Sequence, residues 1–401
     1  MQKVYIVAAK RSAFGKYLGT LANTKAVDLA VLIAKEVIKE SKIDPKNIDE
    51  TIIGMVGQAG QKGNIARQIS IKSGIPVEVP AYTINMLCAS GMKSIMEGYK
   101  SIKIGDANVI LTGGTETMSS SPLIIPGKIK QGIKMGGFKA VDHVLHDGLI
   151  DAFNNYHMGI TAENIAKKYR ISRSEQDELA LVAHHNAERA IKDGTIAEEI
   201  IPIEIPTRKE VKIFKTNEHY RPGMTINDLA KLAPAFVPGG TVTAGNASGM
   251  NDGASIVMLA SEKAVKEYGL TPLAEIISTG QGAVDPSIMG MGPVPAVENA
   301  FKKIELELKD MDYCEFNEAF AAQAIGVYKE LEKRTGLKRE WFYERCNKNG
   351  SAISLGHPVS ATGPRISMHA MYEMKRKGLT HSLATMCIGG GQGACIIMKN
   401  V

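Results

Sequence analysis

The sequence predicts an α/β fold written twice, with a further segment inserted between the copies. Three observations lead there. Two stretches each read strand–helix–strand–helix–strand, the order of a βαβαβ unit. The composition is that of an aliphatic, glycine-rich enzyme: 401 residues, 44% apolar, 40 glycines and only 5% aromatics. Between the copies lies a long polar stretch that follows neither pattern.

In the first copy Thr51–Val56 alternates as a strand and leads to a helical run near Ile65–Ser73. A second strand, Ala81–Leu87, reaches Cys88. The helix after it carries Met92, Ile95, Met96, Tyr99 and Ile102 on one face and stops at Gly105. A third strand, Ala107–Thr112, ends in Gly113-Gly114. The second copy begins with a strand over Asp312–Phe316 and a helix near Asn317-Glu318-Ala319-Phe320. A strand-like segment then ends in Gly356-His357. A helix starts near Gly363-Pro364, where proline suits the first turn, carries Ile366, Met371 and Met374, and stops at Gly378. The strand Leu383–Cys387 runs into Gly389-Gly390-Gly391.

The inserted segment opens with Ser119-Ser120-Ser121-Pro122. It holds a long polar helix over Ser174–Asp193 and a basic segment, Thr207-Arg208-Lys209, and Thr241 to Ala260 reads as strand again. The domain expectation is therefore 1–118 with 250–270 as the first half, 119–249 as an inserted domain over the sheet ends, and 271–401 as the second half.

The repeat puts Cys88 and His357 at equivalent places, the end of a strand just before a helix, and pairs the glycines at Gly113 with those at Gly389. Active sites of open α/β sheets lie beyond the C-terminal ends of strands, so Cys88, Asn317, His357 and Cys387 are expected to converge. A thiol at a helix N-terminus has its thiolate stabilised, although a lone cysteine is more often a small buried hydrophobe. Paired by the repeat with Cys88, His357 on its rigid Gly-His-Pro turn suits a nucleophile–base couple. The run Cys387-Ile388-Gly389-Gly390-Gly391-Gln392-Gly393 cannot be a dinucleotide fingerprint, because the chain has no room after it for a helix and strand, and it lacks the Lys of a phosphate loop. Backbone N–H groups forming an oxyanion hole fit it better. Cys314, Cys346 and Cys395 are expected to be structural, and His184 and His185 to face solvent.

The other classes recede. A formal charge of +6, with scattered lysines, suits an anionic substrate rather than nucleic acid. No cysteine or histidine cluster has metal spacing. Widely separated cysteines point to a reducing compartment. No signal-like start and no apolar run of about 20 residues is present, so a cytoplasmic protein without membrane or nucleic-acid partners is expected.

The chain resembles the thiolase family throughout its length. The signatures are Cys88-Ala89-Ser90-Gly91-Met92-Lys93, Asn317-Glu318-Ala319-Phe320-Ala321, Gly356-His357-Pro358 and Cys387 through Gly393, in that order. The resemblance implies a duplicated fold layered α/β/α/β/α with an inserted loop domain, and a homotetramer. The segment Asn155-Tyr156-His157-Met158-Gly159 looks like the short-chain acetoacetyl-CoA type. Family matching further implies coenzyme A contacts from Leu149, His157, Arg221, Phe236, Ala244, Gly245 and Ser248, with Ala319 and Phe320, and an acyl pocket narrowed by Met158 and Met289. Acetyl-CoA, acetoacetyl-CoA and CoA would be its substrates and products, with no cofactor. Residues and resemblance together imply that Cys88, deprotonated by His357, takes the acetyl group. Cys387 would then remove a proton from a second acetyl-CoA. The N–H groups of Cys88 and Gly389 would hold one oxyanion, and His357 with an Asn317-bound water the other. Ser351, Ser354 and Ser360 stand where the family usually shows Gly or Ala. The alternatives are a broad-range 3-ketoacyl-CoA thiolase, a ketoacyl synthase (which would carry a histidine in place of Cys387) and a non-catalytic homologue, which would have lost a reacting residue.

Overall fold

The computed structural model describes residues 2–206 and 209–401; Thr207 and Arg208 of the basic segment lie outside them. Nine strands form the path of the main sheet: β1 Val4–Ser12, β2 Glu50–Gly54, β3 Ala81–Ile84, β4 Val109–Thr117, β5 Asn251–Ser261, β6 Ala274–Ala283, β7 Tyr313–Phe316, β8 His381–Ile388 and β9 Gln392–Asn400. Their spatial order is β7-β8-β9-β6-β1-β5-β4-β2-β3, with two short strands attached at the side. The halves meet along β1 and β6, where only Tyr5 with Glu275 and Ile6 with Ala274 pair.

The helices that position the site are α1 Ala26–Ser41, α2 Ile65–Lys72, α3 Ser90–Ile104, α4 Met158–Tyr169, α5 Arg173–Lys192, α6 Pro293–Phe301, α7 Ala321–Thr335, α8 Arg339–Arg345, the single turn α9 Ala352–Leu355 and α10 Val359–Lys377. Strand alternation explains the layering, because successive side chains point to opposite faces, except at the register shift between Ile6 and Ala8 of β1, which puts Val7 and Ala8 on the same face. In β1, Tyr5, Val7 and Ala8 join α1 and α2 in one apolar cluster, while Val4, Ile6 and Ala9 join α3 and α10 in another. A third cluster lies under α6 and α7 against the second half of the sheet. The order is thus helix, sheet, helix, sheet, helix, with α3 and α10 as the shared middle layer.

The middle layer is unusually close. A Cβ on Gly91 would lie 2.2 Å from the Ser360 carbonyl oxygen, and one on Gly114 only 2.0 Å from it. Glycine at both positions lets the first turn of α10 rest on α3 and β4. This corrects the expectation of a glycine turn at Gly113-Gly114: both lie inside β4, which continues to Thr117.

Other expectations shift as well. Each half is mixed: β2–β3, β2–β4 and β7–β8 are parallel, while β5 and β9 run antiparallel to their neighbours. The strand expected before His357 is replaced by α9. Ser351 and Ser354 form a reciprocal capping box that starts this turn, and Gly356 at φ +98° ends it. An isolated bridge from Cys314 to Cys346 is the strand pairing found there. The helix after Asn317 begins at Ala321, and the residues from Thr241 to Met250 precede the strand that begins at Asn251. Pro364 sits inside α10, which starts earlier, at Val359. No helix among the described residues is long and apolar enough to cross a membrane.

Candidate active site

Cys88 follows β3 through a tight turn. Leu87 adopts φ +45°, and Ser90 Oγ accepts from the Met86 N–H at 2.9 Å while donating to the Leu87 carbonyl at 2.6 Å. The turn leaves Cys88 half-buried just ahead of α3. Burial pushes its thiol up. The backbone N–H groups of Gly389 and of Cys88 itself, both bonded to the sulfur, pull the other way, and the Glu116 carboxylate adds to the rise. The helix-terminal position therefore does not make a resting thiolate, contrary to the sequence expectation. Desolvation of the anion is larger than the two N–H contacts, so a base is needed.

Gly389 stands in the turn between β8 and β9. A Cβ there would meet Met158 Cε at 2.6 Å and Leu87 Cδ1 at 2.8 Å, so only glycine lets its N–H reach the Cys88 sulfur. Cys387, at the end of β8, is fully buried. Burial and the neighbouring Cys88 raise its thiol far more strongly. Asn317 continues β7 and donates its N–H to the Thr385 carbonyl of β8 at 2.9 Å, which puts it beside the same strand end. Its side-chain oxygen and nitrogen are buried without a partner among the described residues.

His357 is held at two points. Its N–H donates to Asn251 Oδ1 at 2.9 Å, and Nδ1 lies 2.7 Å from Thr362 Oγ1. Nε2 is buried without a partner among the described residues. Burial, with repulsion from Arg365, pushes its pKa down to about 3, so the imidazole is neutral and able to accept a proton. The packing of α10 on α3 joins the two centres: Cys88 touches the apolar cluster containing Val359, two residues beyond His357, along with Leu149.

Of the three unusual serines, Ser351 and Ser360 bond to carboxylates and Ser354 to the Ser351 backbone, rather than to His357. Ser360 Oγ donates to Glu116 at 2.6 Å, and Glu116 also accepts from the N–H groups of Val56 and Gly57. Ser351 Oγ donates to Glu318. Burial raises Glu318 to about 7, with the Ser351 and Asn347 hydrogen bonds opposing. Sequence reasoning missed Asn251, Thr362 and Glu116. Only Thr362, one helical turn from His357 in the Gly-His-Pro signature, had a local signal.

On the outer side His157 caps α4, its Nδ1 accepting the Gly159 N–H at 3.0 Å. Its ring stacks on Phe236 at 4.7 Å, and Phe236 meets Phe320 edge-on at 6.2 Å. Ser248 N–H donates to the Ala319 carbonyl at 2.8 Å. These residues form one rim. Gly245 packs beneath Leu229 and Leu232, and Met158 and Met289 share an apolar cluster with Cys387. Arg221 and Ala244 are exposed. The Arg221 N–H donates to His184 Nδ1 at 3.3 Å. His184 is thus buried rather than solvent-facing, because α5 lies under this strap; His185 is exposed. No His/Cys/Asp/Glu group among the described residues is arranged to hold a metal.

This arrangement has known counterparts. The profile of the thiolase N-terminal domain matches residues 4–263 and that of the thiolase C-terminal domain matches residues 270–400. The chain belongs to the thiolase family. It is 45% identical to the acetyl-CoA acetyltransferase of Cupriavidus necator over 100% of both chains. The acetyl-CoA acetyltransferase structure from Bacillus anthracis superposes with a TM-score of 0.94 at 41% identity, covering 100% of this chain and 99% of the other. Human mitochondrial 3-ketoacyl-CoA thiolase, solved in complex with CoA, gives 0.93 at 42% identity, with coverage of 100% and 98%. This thiolase is an acyltransferase, and its duplicated fold is the one the resemblance implied.

Proposed function

We propose that this thiolase is an acetyl-CoA C-acetyltransferase, joining two acetyl-CoA into acetoacetyl-CoA and CoA and running the reverse thiolysis. The observation that carries the reading is the Cys88 sulfur under the Gly389 N–H with the Cys387 thiol beside it. His357 takes the Cys88 proton, the sulfur attacks the acetyl thioester carbon, and CoA leaves as its thiol after taking that proton. Once CoA has left, Cys387 passes its thiol proton to His357, and the resulting thiolate removes a methyl proton from a second acetyl-CoA. The carbanion attacks the acetyl-Cys88 carbonyl, the C–S bond breaks, and Cys88 leaves as thiolate, which takes the proton back from His357. The N–H groups of Cys88 and Gly389 are suited to the oxyanion on the acyl-enzyme, each such donor being worth about 2.7–4 kcal/mol. His357 Nε2 and the free amide of Asn317, through a water, are suited to the enolate.

In this reading residues 119–249 form the loop domain, between halves 1–118 with 250–270 and 271–401. Its His157–Phe236–Phe320 rim, with Leu149, Arg221, Ala244, Gly245, Ser248 and Ala319, receives coenzyme A. Met158 and Met289 close the acyl pocket, and the chemistry calls for no cofactor or metal. We also infer a cytoplasmic homotetramer. Five free cysteines suit a reducing compartment. Leu123, Ile125, Met135 and Phe138 are each exposed, Met135 at 95%, within residues 123–138, apolar side chains suited to cover by a second copy.

The second reading, a broad-range 3-ketoacyl-CoA thiolase, draws on the 42% identity to the human mitochondrial enzyme. Thiolysis of 3-ketoacyl-CoAs of increasing length decides between them. Activity confined to acetoacetyl-CoA supports the first, and equal kcat/KM on 3-ketodecanoyl-CoA establishes the second.

A further inference from the structure

We propose that Thr362 is a positioning residue that fixes His357 as the Nδ1–H tautomer, leaving Nε2 as the atom that accepts the Cys88 proton. The proposal deepens the function above and rests on His357 being the base there.

Thr362 sits in the first turn of α10, fully buried. Its Oγ1 lies 2.7 Å from His357 Nδ1 and 3.0 Å from the Pro358 carbonyl oxygen, to which it donates. A hydroxyl has one proton and two lone pairs. A helical threonine commonly sends that proton back to the carbonyl four residues earlier, here Pro358. The oxygen can then only accept from the ring, so the ring hydrogen must be on Nδ1. Without the Pro358 carbonyl in reach, the hydroxyl would donate into Nδ1 and force a hydrogen onto Nε2. Nε2 has no acceptor among the described residues, and buried N–H donors without acceptors are rarer than buried acceptors without donors.

The backbone is pinned independently. Asn251 accepts the His357 N–H at 2.9 Å and donates to the Gly15 carbonyl at 2.9 Å. A Cβ on Gly356 would fall 2.6 Å from the Asn251 side chain, so only glycine allows this approach. Ring and backbone are thus held by neutral partners. A carboxylate on Nδ1 would hold the same tautomer but raise the basicity of the ring. A hydroxyl orients it and, consistent with the depressed pKa, leaves it neutral at rest.

The test compares Thr362→Val, Thr362→Ser and His357→Ala. Two readouts are used: the rate of acetyl transfer from acetyl-CoA to Cys88, followed by mass spectrometry, and 15N-histidine NMR of the resting enzyme. The His357 signals are identified by their loss in His357→Ala. Wild type should show the Nδ1–H tautomer. Thr362→Val should lose that signature and slow acetylation on the order of 10–100-fold, less than the ~10²–10⁴-fold of losing a proton-transfer group outright. Thr362→Ser, which keeps the hydroxyl, should restore both. An Nε2–H tautomer in wild type overturns the proposal whether or not Thr362→Val folds. So does a Thr362→Val enzyme that acetylates at the normal rate while His357→Ala does not. Normal acetylation in His357→Ala would instead remove the base assignment itself, and the proposal with it.

Discussion

Cys88 and Cys387 are the same residue in two environments, and the contrast matches the separate tasks proposed for them. Cys88 is half-buried, bonded by two backbone N–H groups and placed on a turn that a substrate carbonyl can approach. Cys387 is fully buried at a strand end beside another thiol, with its own backbone N–H as the donor to its sulfur. Both thiols are raised by burial, but only Cys88 has a second donor, the Gly389 N–H, to hold a negative charge. A nucleophile that carries an acyl oxyanion needs those donors. A base that lends and returns a proton needs only proximity and a thiolate made when substrate is bound.

The largest expected effect tests Cys88. Cys88→Ala should form no acetyl-enzyme, and its condensation and thiolysis should fall to background in a coupled assay. In wild type, brief haloacetamide treatment should label Cys88 ahead of the four other cysteines, with acetyl-CoA protecting it. Labelling led by Cys387 would reverse the comparison. Next, Cys387→Ser should lose roughly 10²–10⁴-fold in carbon–carbon bond formation yet still accept an acetyl group, visible as a mass increase on Cys88. Absence of that adduct would show that the two thiols do not divide the labour.

A smaller effect concerns the wall between the thiols. Met158 touches the Gly389 position and shares a cluster with Met289 and Cys387. Each methylene that fits adds about 0.8 kcal/mol of burial, but each one forced into a filled site costs ~1–3 kcal/mol. Activity should therefore drop at least about tenfold from acetoacetyl-CoA to the six-carbon 3-ketoacyl-CoA. Met158→Ala should narrow that gap, as steady-state kinetics on both substrates would reveal.

The smallest effect compares the site imidazole with His184 and its neighbour His219, whose ring packs at Gly249. Burial pushes His357 to about 3, and His184 and His219 to about 4. All lie below the ordinary imidazole value of ~6.5. Between those limits the unfolded chain binds more protons than the folded one. Stability is thus present above about pH 6.5 and lost as pH falls toward 4. Glu318, raised to about 7, opposes this between the usual carboxylate range and neutrality. The net result should be a urea midpoint that declines from pH 6.5 to 4, with a shallower decline in His219→Gln. A flat profile would remove the buried neutral histidines from the account.

Much of the site was legible because its residues sit at strand ends and helix starts that local pattern marks. The helix closing at Gly105, the strand ending in Cys387 and the helix ending at Gly378 lie where periodicity and stop signals place them. The segment before His357 misled for a local reason. It reads as a strand, whereas Ser351 and Ser354 cap each other and wind a single turn. Gly113-Gly114 misled for a long-range reason: the lack of a side chain answers Ser255 and Ile256 of β5 at Gly113, and Ser360 of α10, nearly 250 residues away, at Gly114, rather than a turn.

By itself the sequence determined the duplication, the order of the four signatures and the residues proposed as reacting groups, because strand and helix periods and residue chemistry are local properties. Tertiary structure alone decided the protonation of those groups. Whether Cys88 rests as thiol, whether His357 is neutral, and which of its nitrogens carries hydrogen depend on burial, on the Gly389 N–H, and on Asn251 and Thr362. Desolvation and hydrogen bonding are set by what packs around an atom, and neighbours brought together from 106 and 301 positions away leave no local pattern to read.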